Sequence, residues 1–212
     1  MSIAIGTIGH ALRDISKSSS SPIVLGHAHQ LIAAAFGYNS LAAYQASGEE
    51  QWIERARHFV LDVDRVSKRA IELGIGTSGD LVNRMIRASI EKVIPDARLH
   101  KSESAFDDYI RSKLDDIALN DPDTSSQMAM TNGDGVDEVY LPFELSDSEP
   151  PSPGESFEIE VDGHISMSQD IDRPYSGHKI EIEATVIVER TGRQSYAEPD
   201  ITIDQARLDY DW

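Results

Sequence analysis

The chain contains no cysteine among its 212 residues. That removes disulfide frameworks, thiolate metal sites and thiol nucleophiles, and it suits a reducing compartment. Long apolar runs are missing as well. No stretch approaches the roughly 18 consecutive apolar residues that a membrane-spanning helix needs, so no membrane partner is expected. The opening "MSIAIGTIGHALRD" has neither a basic start nor a long apolar core and does not read as a secretory signal. These absences predict a soluble, cytoplasmic protein. Positive charge is scarce too: 19 Lys and Arg stand against 37 Asp and Glu, for a net charge of −18.

The deficit is uneven. Up to Lys101 there are 12 basic and 10 acidic residues; from Ser102 onward there are 7 and 27. Such asymmetry predicts separate surfaces with separate partners. The plainer alternative is that an acidic surface keeps the protein in solution.

Apolar residues in the first half recur at helical spacing. Ile3, Ile5, Ile8, Ala11, Leu12 and Ile15 mark a first helix, which "SKSSSSP" ends. Two short helices are predicted over 27–47. A long one is predicted from about Glu49 to Leu73, burying Trp52, Ile53, Ala56, Phe59, Val60, Val63, Val66 and Ala70. In "LGIGTSGD" a glycine closes that helix and Thr77 or Ser78 caps the next, which must stop before Pro95. "SESAFDDYIRSKLDDIAL" opens on a capping serine and lines up Phe106, Tyr109, Ile110, Leu114 and Ile117.

After about residue 119 the period changes. "NDPDTSSQMAMTNGDG" is rich in turn formers and reads as a linker over 120–135. Beyond it residues alternate: Val139, Leu141, Phe143 and Leu145; Phe157, Ile159 and Val161; Ile180, Ile182, Ala184, Val186 and Val188. This is the pattern of antiparallel strands with one buried face. Ile201 and Ile203 start a last strand that reaches toward Leu208 and Tyr210 with a break in parity, and "ERTGRQSYAEP" reads as a hairpin. The expected fold class is α+β: a helical domain of five or six helices over 1–119, a linker at 120–135, and a small acidic antiparallel β domain over 136–212.

The pair at 27–47, "HAHQLIAAAFGYNSLAAYQAS", has the geometry of a helix-turn-helix, with Ala33 and Gly37 at close-packing spacing and Leu41 and Tyr44 on the buried side. As a DNA reader it would use Asn39, Ser40 and Gln45 on bases, helped by Arg55 and Arg57 on phosphates. Its second helix nevertheless holds no Lys or Arg and runs into Glu49 and Glu50, whereas affinity for nucleic acid comes mostly from cations. The stretch "ALRDISKSSSSPIVLGHAHQLIAAAFGYNSLAAYQA" resembles the short helical domain catalogued as glyoxalase-related in uncharacterised bacterial and mobile-element proteins. His27 or His29, Leu31, Ala33, Gly37, Tyr38, Ser40 and Tyr44 carry the likeness, which covers about residues 8–47. Ser40 and Leu41 stand where that family often has Trp. The resemblance implies a compact helical module and not glyoxalase chemistry, which needs a cage of His and Glu that this sequence does not assemble.

Other motifs carry less. His27 and His29 at a helix start point about 200° apart, so no metal site is expected there; one ring packs or caps and the other is exposed. "NGDGVDE", Asn132 to Glu138, lacks the residue order of a calcium loop and reads as a turn into the first strand. Ser18 to Ser21 form no nucleophile elbow, and "LGIGTSGD" lacks the Lys of a phosphate loop. No catalytic residue, cofactor or metal is expected, and nothing sets an oligomeric state.

The most informative pattern is the other face of the predicted strands. Glu158, Glu160 and Asp162 share one face, as do Glu181 and Glu183, with Glu189 nearby. Side chains two apart on a strand stand about 6.6 Å from each other on one face. His164, Arg173, His178 and Lys179 are too few to neutralise them. The expected function is therefore a non-enzymatic interaction protein whose acidic β part engages a basic protein partner, as inhibitor, immunity protein or adaptor. The alternatives are a DNA-binding regulator built on 27–47 and an enzyme with an unrecognised site between the two parts.

Overall fold

The computed structural model describes residues 5–131, 133–145, 150–168 and 179–209. Ile3, Asn132, Arg173, His178 and Tyr210 lie outside them, as does part of the proline-rich stretch before Ser156. Within them are seven α-helices and seven strands, the strands mixed but mostly antiparallel, so the class is α+β. The chain divides into two compact units, each assembled from separated pieces. The first takes Met1–Phe106, Pro151–Glu155 and Glu189–Glu198; the second takes Asp107–Pro150, Ser156–Val188 and Pro199–Trp212. Charge follows this division closely. The first unit has 14 basic and 14 acidic residues and the second has 5 and 23, so the whole net charge belongs to the second.

In the first unit, α2 (Leu25–Ala35) is the central helix, with Ala28 and every residue from Leu31 to Ala35 buried. A helix apolar on so many sides must be surrounded, and α1 (Ile5–Ser16), α4 (Val63–Glu72) and α5 (Gly79–Val93) pack around it. Ile8, Leu12, Leu31, Ile32, Ile86 and Ile90 are closed to solvent. Helix α5 begins where expected, with Ser78 accepting a hydrogen bond from the Leu81 amide, and ends before Pro95. Helix α3 (Leu41–Ser47) follows α2 across a five-residue turn. There the Gly37 amide donates to the Ala34 carbonyl and the Tyr38 amide to the Ala33 carbonyl, with Gly37 at φ +83°. This left-handed helix stop favours a residue without Cβ, so the glycine closes a helix instead of letting two helices cross.

The long helix expected from Glu49 to Leu73 does not exist. The segment forms two 3-10 turns, Glu49–Gln51 and Ile53–Arg55, then strand β1 (His58–Val60), then α4. Asp62 starts the new helix by accepting from the Arg65 amide at 2.8 Å. Strand β1 is buried at all three residues because it is central, parallel to β2 (Arg98–His100) and antiparallel to β6 (Ser195–Tyr196). A strand buried on both faces shows no alternation, so Phe59 and Val60 fit a helical period equally well.

In the second unit, most of α6 (Glu103–Asn120) buries Ile110, Leu114 and Ala118. Ser102 accepts from the Ala105 amide at its start, as expected of a cap. The expected linker at 120–135 instead holds α7 (Pro122–Met130). Asp121 Oδ1 accepts from the amides of Asp123 and Thr124, and Pro122 occupies the first helical position. Strands β3 (Val136–Tyr140), β4 (Ser156–Met167), β5 (Lys179–Gly192) and β7 (Asp200–Leu208) form the sheet, with β4 between β3 and β5, and β7 on β5. The alternation is as expected: Ile180, Ile182, Ala184, Val186 and Val188 are buried while Glu181 and Glu183 are exposed. Leu141, Phe143 and Leu145 are buried too, but beyond the end of β3. The parity break falls where Glu183 faces Gln205 and Ala184 faces Ile203, leaving Asp204 as a bulge. The last turns of β5 with β6 make the expected hairpin, in the first unit.

Candidate functional site

Period-two alternation puts the predicted carboxylates where the sequence places them. Glu158, Glu160 and Asp162 on β4 and Glu181 and Glu183 on β5 are all exposed on the face away from the apolar residues. The bulge adds one that the alternation alone did not assign. Asp204 joins Glu160, Asp162, Glu183 and Thr185 around a recess of about 330 Å³, and the Thr185 hydroxyl donates to Asp204 Oδ2 at 2.7 Å. Near it Arg207 approaches Glu183 at 3.5 Å and donates to Gln205 at 3.0 Å. Among the described residues no group of three or more His, Asp or Glu is arranged to hold a metal ion.

Glu189 does not belong to this face. It lies in the first unit, half-buried, 2.5 Å from Arg55. The same contact engages Arg55, whose guanidinium also sits over the Trp52 ring at 4.6 Å.

The nucleic-acid candidates are mostly engaged in holding the fold. Ser40 caps α3 by accepting from the Ala43 amide at 3.1 Å. The Asn39 side chain accepts from Arg65 and its carbonyl from Arg69. Arg57 donates to the carbonyls of Glu54 and Ala56. Gln45 alone of the five is exposed on a helix without a partner role to play in the fold's described hydrogen bonds. His29 packs against Gly9, where an added Cβ would meet its ring at 2.2 Å, and His27, like His29, is half-buried instead of exposed.

A second constellation was missed in the sequence. In the first unit His58 is closed to solvent, with Nδ1 at 2.9 Å from His100 Nε2 and Nε2 at 2.9 Å from Glu198 Oε2. Phe106 stacks on Tyr196 with 4.7 Å between ring centres, and lies 5.0 Å from both imidazoles. A carboxylate only accepts, so His58 Nε2 carries the proton toward Glu198. Burial is the main cause that lowers both histidines, His58 to about 4, against an upward pull from Glu198 on His58 and from a hydrogen bond to the Ala105 backbone on His100. Two rings 42 residues apart and a glutamate 140 residues from His58 share no local pattern that could have announced them.

Among the described residues no helix is long and apolar enough to cross a membrane. No protein-family model, curated protein or solved structure matched the chain.

Proposed function

We propose that this chain is a non-enzymatic interaction protein of bacterial or mobile-element type, whose acidic β unit binds a basic protein in an inhibitor, immunity or adaptor role. The observation that carries the reading is the exposed sheet face on which Glu158, Glu160, Asp162, Glu181, Glu183 and Asp204 gather. Like charges on neighbouring strands oppose the sheet by several tenths of a kcal/mol per pair. A cationic partner relieves that repulsion as it binds, is drawn in at long range, and is released as salt rises. The likeness of residues 8–47 to a helical module of bacterial and mobile-element proteins supports the attribution of origin. It contributes nothing to the choice of partner.

The test is capture of the tagged protein's partner from a bacterial lysate, washed at low and then moderate salt. A basic protein that elutes as salt rises is the expected result. The quadruple variant Glu158→Lys, Glu160→Lys, Glu181→Lys, Glu183→Lys should lose it; undiminished capture by that variant would sink the reading.

A further inference from the structure

Strand β4 is flanked on both sides over only part of its length. Strand β3 pairs with it from Tyr140↔His164 to Val136↔Met167, while β5 lies along its other side. Residues 156–162 of β4 therefore have no strand on the β3 side among the described residues. The chain leaves that edge at Gly163. The Tyr140 carbonyl passes so near that a Cβ on residue 163 would meet its oxygen at 2.1 Å. Leu141 and Phe143 then sink into the core. A strand edge without a neighbour presents a row of backbone donors and acceptors that another strand can complete.

The two faces of this open stretch differ in chemistry. One bears Glu158, Glu160 and Asp162, all exposed. On the other, Ile159 borders a groove of about 710 Å³ whose walls include Val139, Leu141 and Phe143, with Asp115 from α6 beside them. Tyr140 is 53% exposed but belongs to the carboxylate face, where it pairs with His164 and its ring lies 5.4 Å from that imidazole. Burial, and then the neighbouring Asp116, hold the Asp115 carboxyl above its usual range, against the opposing charge of Arg111. The Arg111 guanidinium also donates to the Phe143 carbonyl at 2.8 Å and to Asp108 at 2.7 Å.

These facts select the occupant. A second copy of the same edge would set carboxylate against carboxylate, the charge pattern by which sheets refuse their own kind. Side chains of an added strand point alternately to the two faces. A segment that satisfies both faces at once carries cations on every second residue and apolar side chains between them.

We propose that residues 156–162 of β4 accept an extended partner segment in which Lys or Arg alternates with apolar residues. It adds as a strand, its basic side chains over Glu158, Glu160 and Asp162 and its apolar ones in the groove of Ile159 and Val139. This rests on the reading of the chain as a binder of basic proteins, and it names the part of the partner that is held.

The experiment uses the full chain at low salt and two labelled heptapeptides of equal composition, followed by fluorescence anisotropy. One alternates lysine and valine; the other has its lysines in one block and its valines in another. The alternating peptide should bind at least about tenfold more tightly. Ile159→Ser should weaken the alternating peptide several-fold and leave the block peptide unchanged, whereas Glu160→Lys should weaken both, with circular dichroism confirming that each variant is folded. Equal binding of the two peptides overturns the added strand while leaving the acidic face a binder of cations. Binding of neither overturns both this inference and the reading beneath it.

Discussion

The imidazole of His58 lies 2.9 Å from that of His100, nitrogen to nitrogen, where no solvent reaches the His58 side chain. The groups that bear on the pair are Glu198, which favours the charged form of His58, and Arg98 and Arg87, which oppose charge on the rings. With His58 lowered from 6.5 to about 4, the unfolded chain takes up a proton that the folded one refuses. Stability is therefore whole above about pH 6.5 and falls as pH drops toward about 4, His58 accounting for about 3 kcal/mol and His100 adding in the same direction. Urea unfolding at pH 7 and pH 4.5 measures this. His58→Asn should flatten the slope; an unchanged slope would place the acid sensitivity in other groups.

Salt should stabilise the protein. The second unit holds 23 acidic and 5 basic residues, and its exposed carboxylates repel across neighbouring strands. Raising ionic strength from about 0.01 M to 0.1 M shortens the screening length from about 30 Å to about 10 Å, which weakens that repulsion. Melting temperature should rise over this range. In Glu160→Gln with Glu183→Gln, which thins the row around the recess, the rise should be smaller and the starting value higher.

Replacing Gly37 should unfold the junction between α2 and α3 before it affects anything acidic. Gly37 sits at φ +83°, and an added Cβ would press on the Gln194 side chain at 3.2 Å. Gly37→Ala should cost about 1 kcal/mol or more in chemical unfolding. Ser40→Ala, which removes the cap of α3, should cost about 1 kcal/mol as well. Binding of the alternating peptide should be unaffected by either change at a temperature where the protein stays folded.

Duplex DNA should not be retarded by this protein in gels, even at low salt. Helix α3 carries no cation, and Asn39 and Ser40 are committed to Arg65, Arg69 and the helix cap. A shifted band would return the pair at 27–47 to consideration as a reader of bases.

Elements with an uninterrupted period were legible in the sequence. The capping serine before α5, the stop ahead of Pro95 and the alternation of β5 needed only neighbouring residues to declare themselves. The carboxylates of β4 and β5 followed from that same alternation. Glu189 did not: the strand carries it past the last buried valine into the first unit, where Arg55 holds it. Strand β1 was hidden because a short central strand has no polar side, and β2, an edge strand with Arg98 exposed, because three residues are too few to show a period. Helix α7 was hidden by composition, although Asp121 followed by Pro122 is a start signal in its own right. The histidine pair depends on partners far along the chain, and only the fold brings them together.

Strand β6 lies against β1, and Glu198 against His58, although 140 residues separate that last pair. A ribosome that has finished residue 119 has therefore released every helix of the first unit without the pieces that complete it. Until residue 198 emerges, β1 lacks its neighbour on one side and the buried histidine lacks its carboxylate. The helical half is thus the first to be synthesised and among the last to be finished. A gene cut at that boundary would express an unfinished core in place of a free-standing domain.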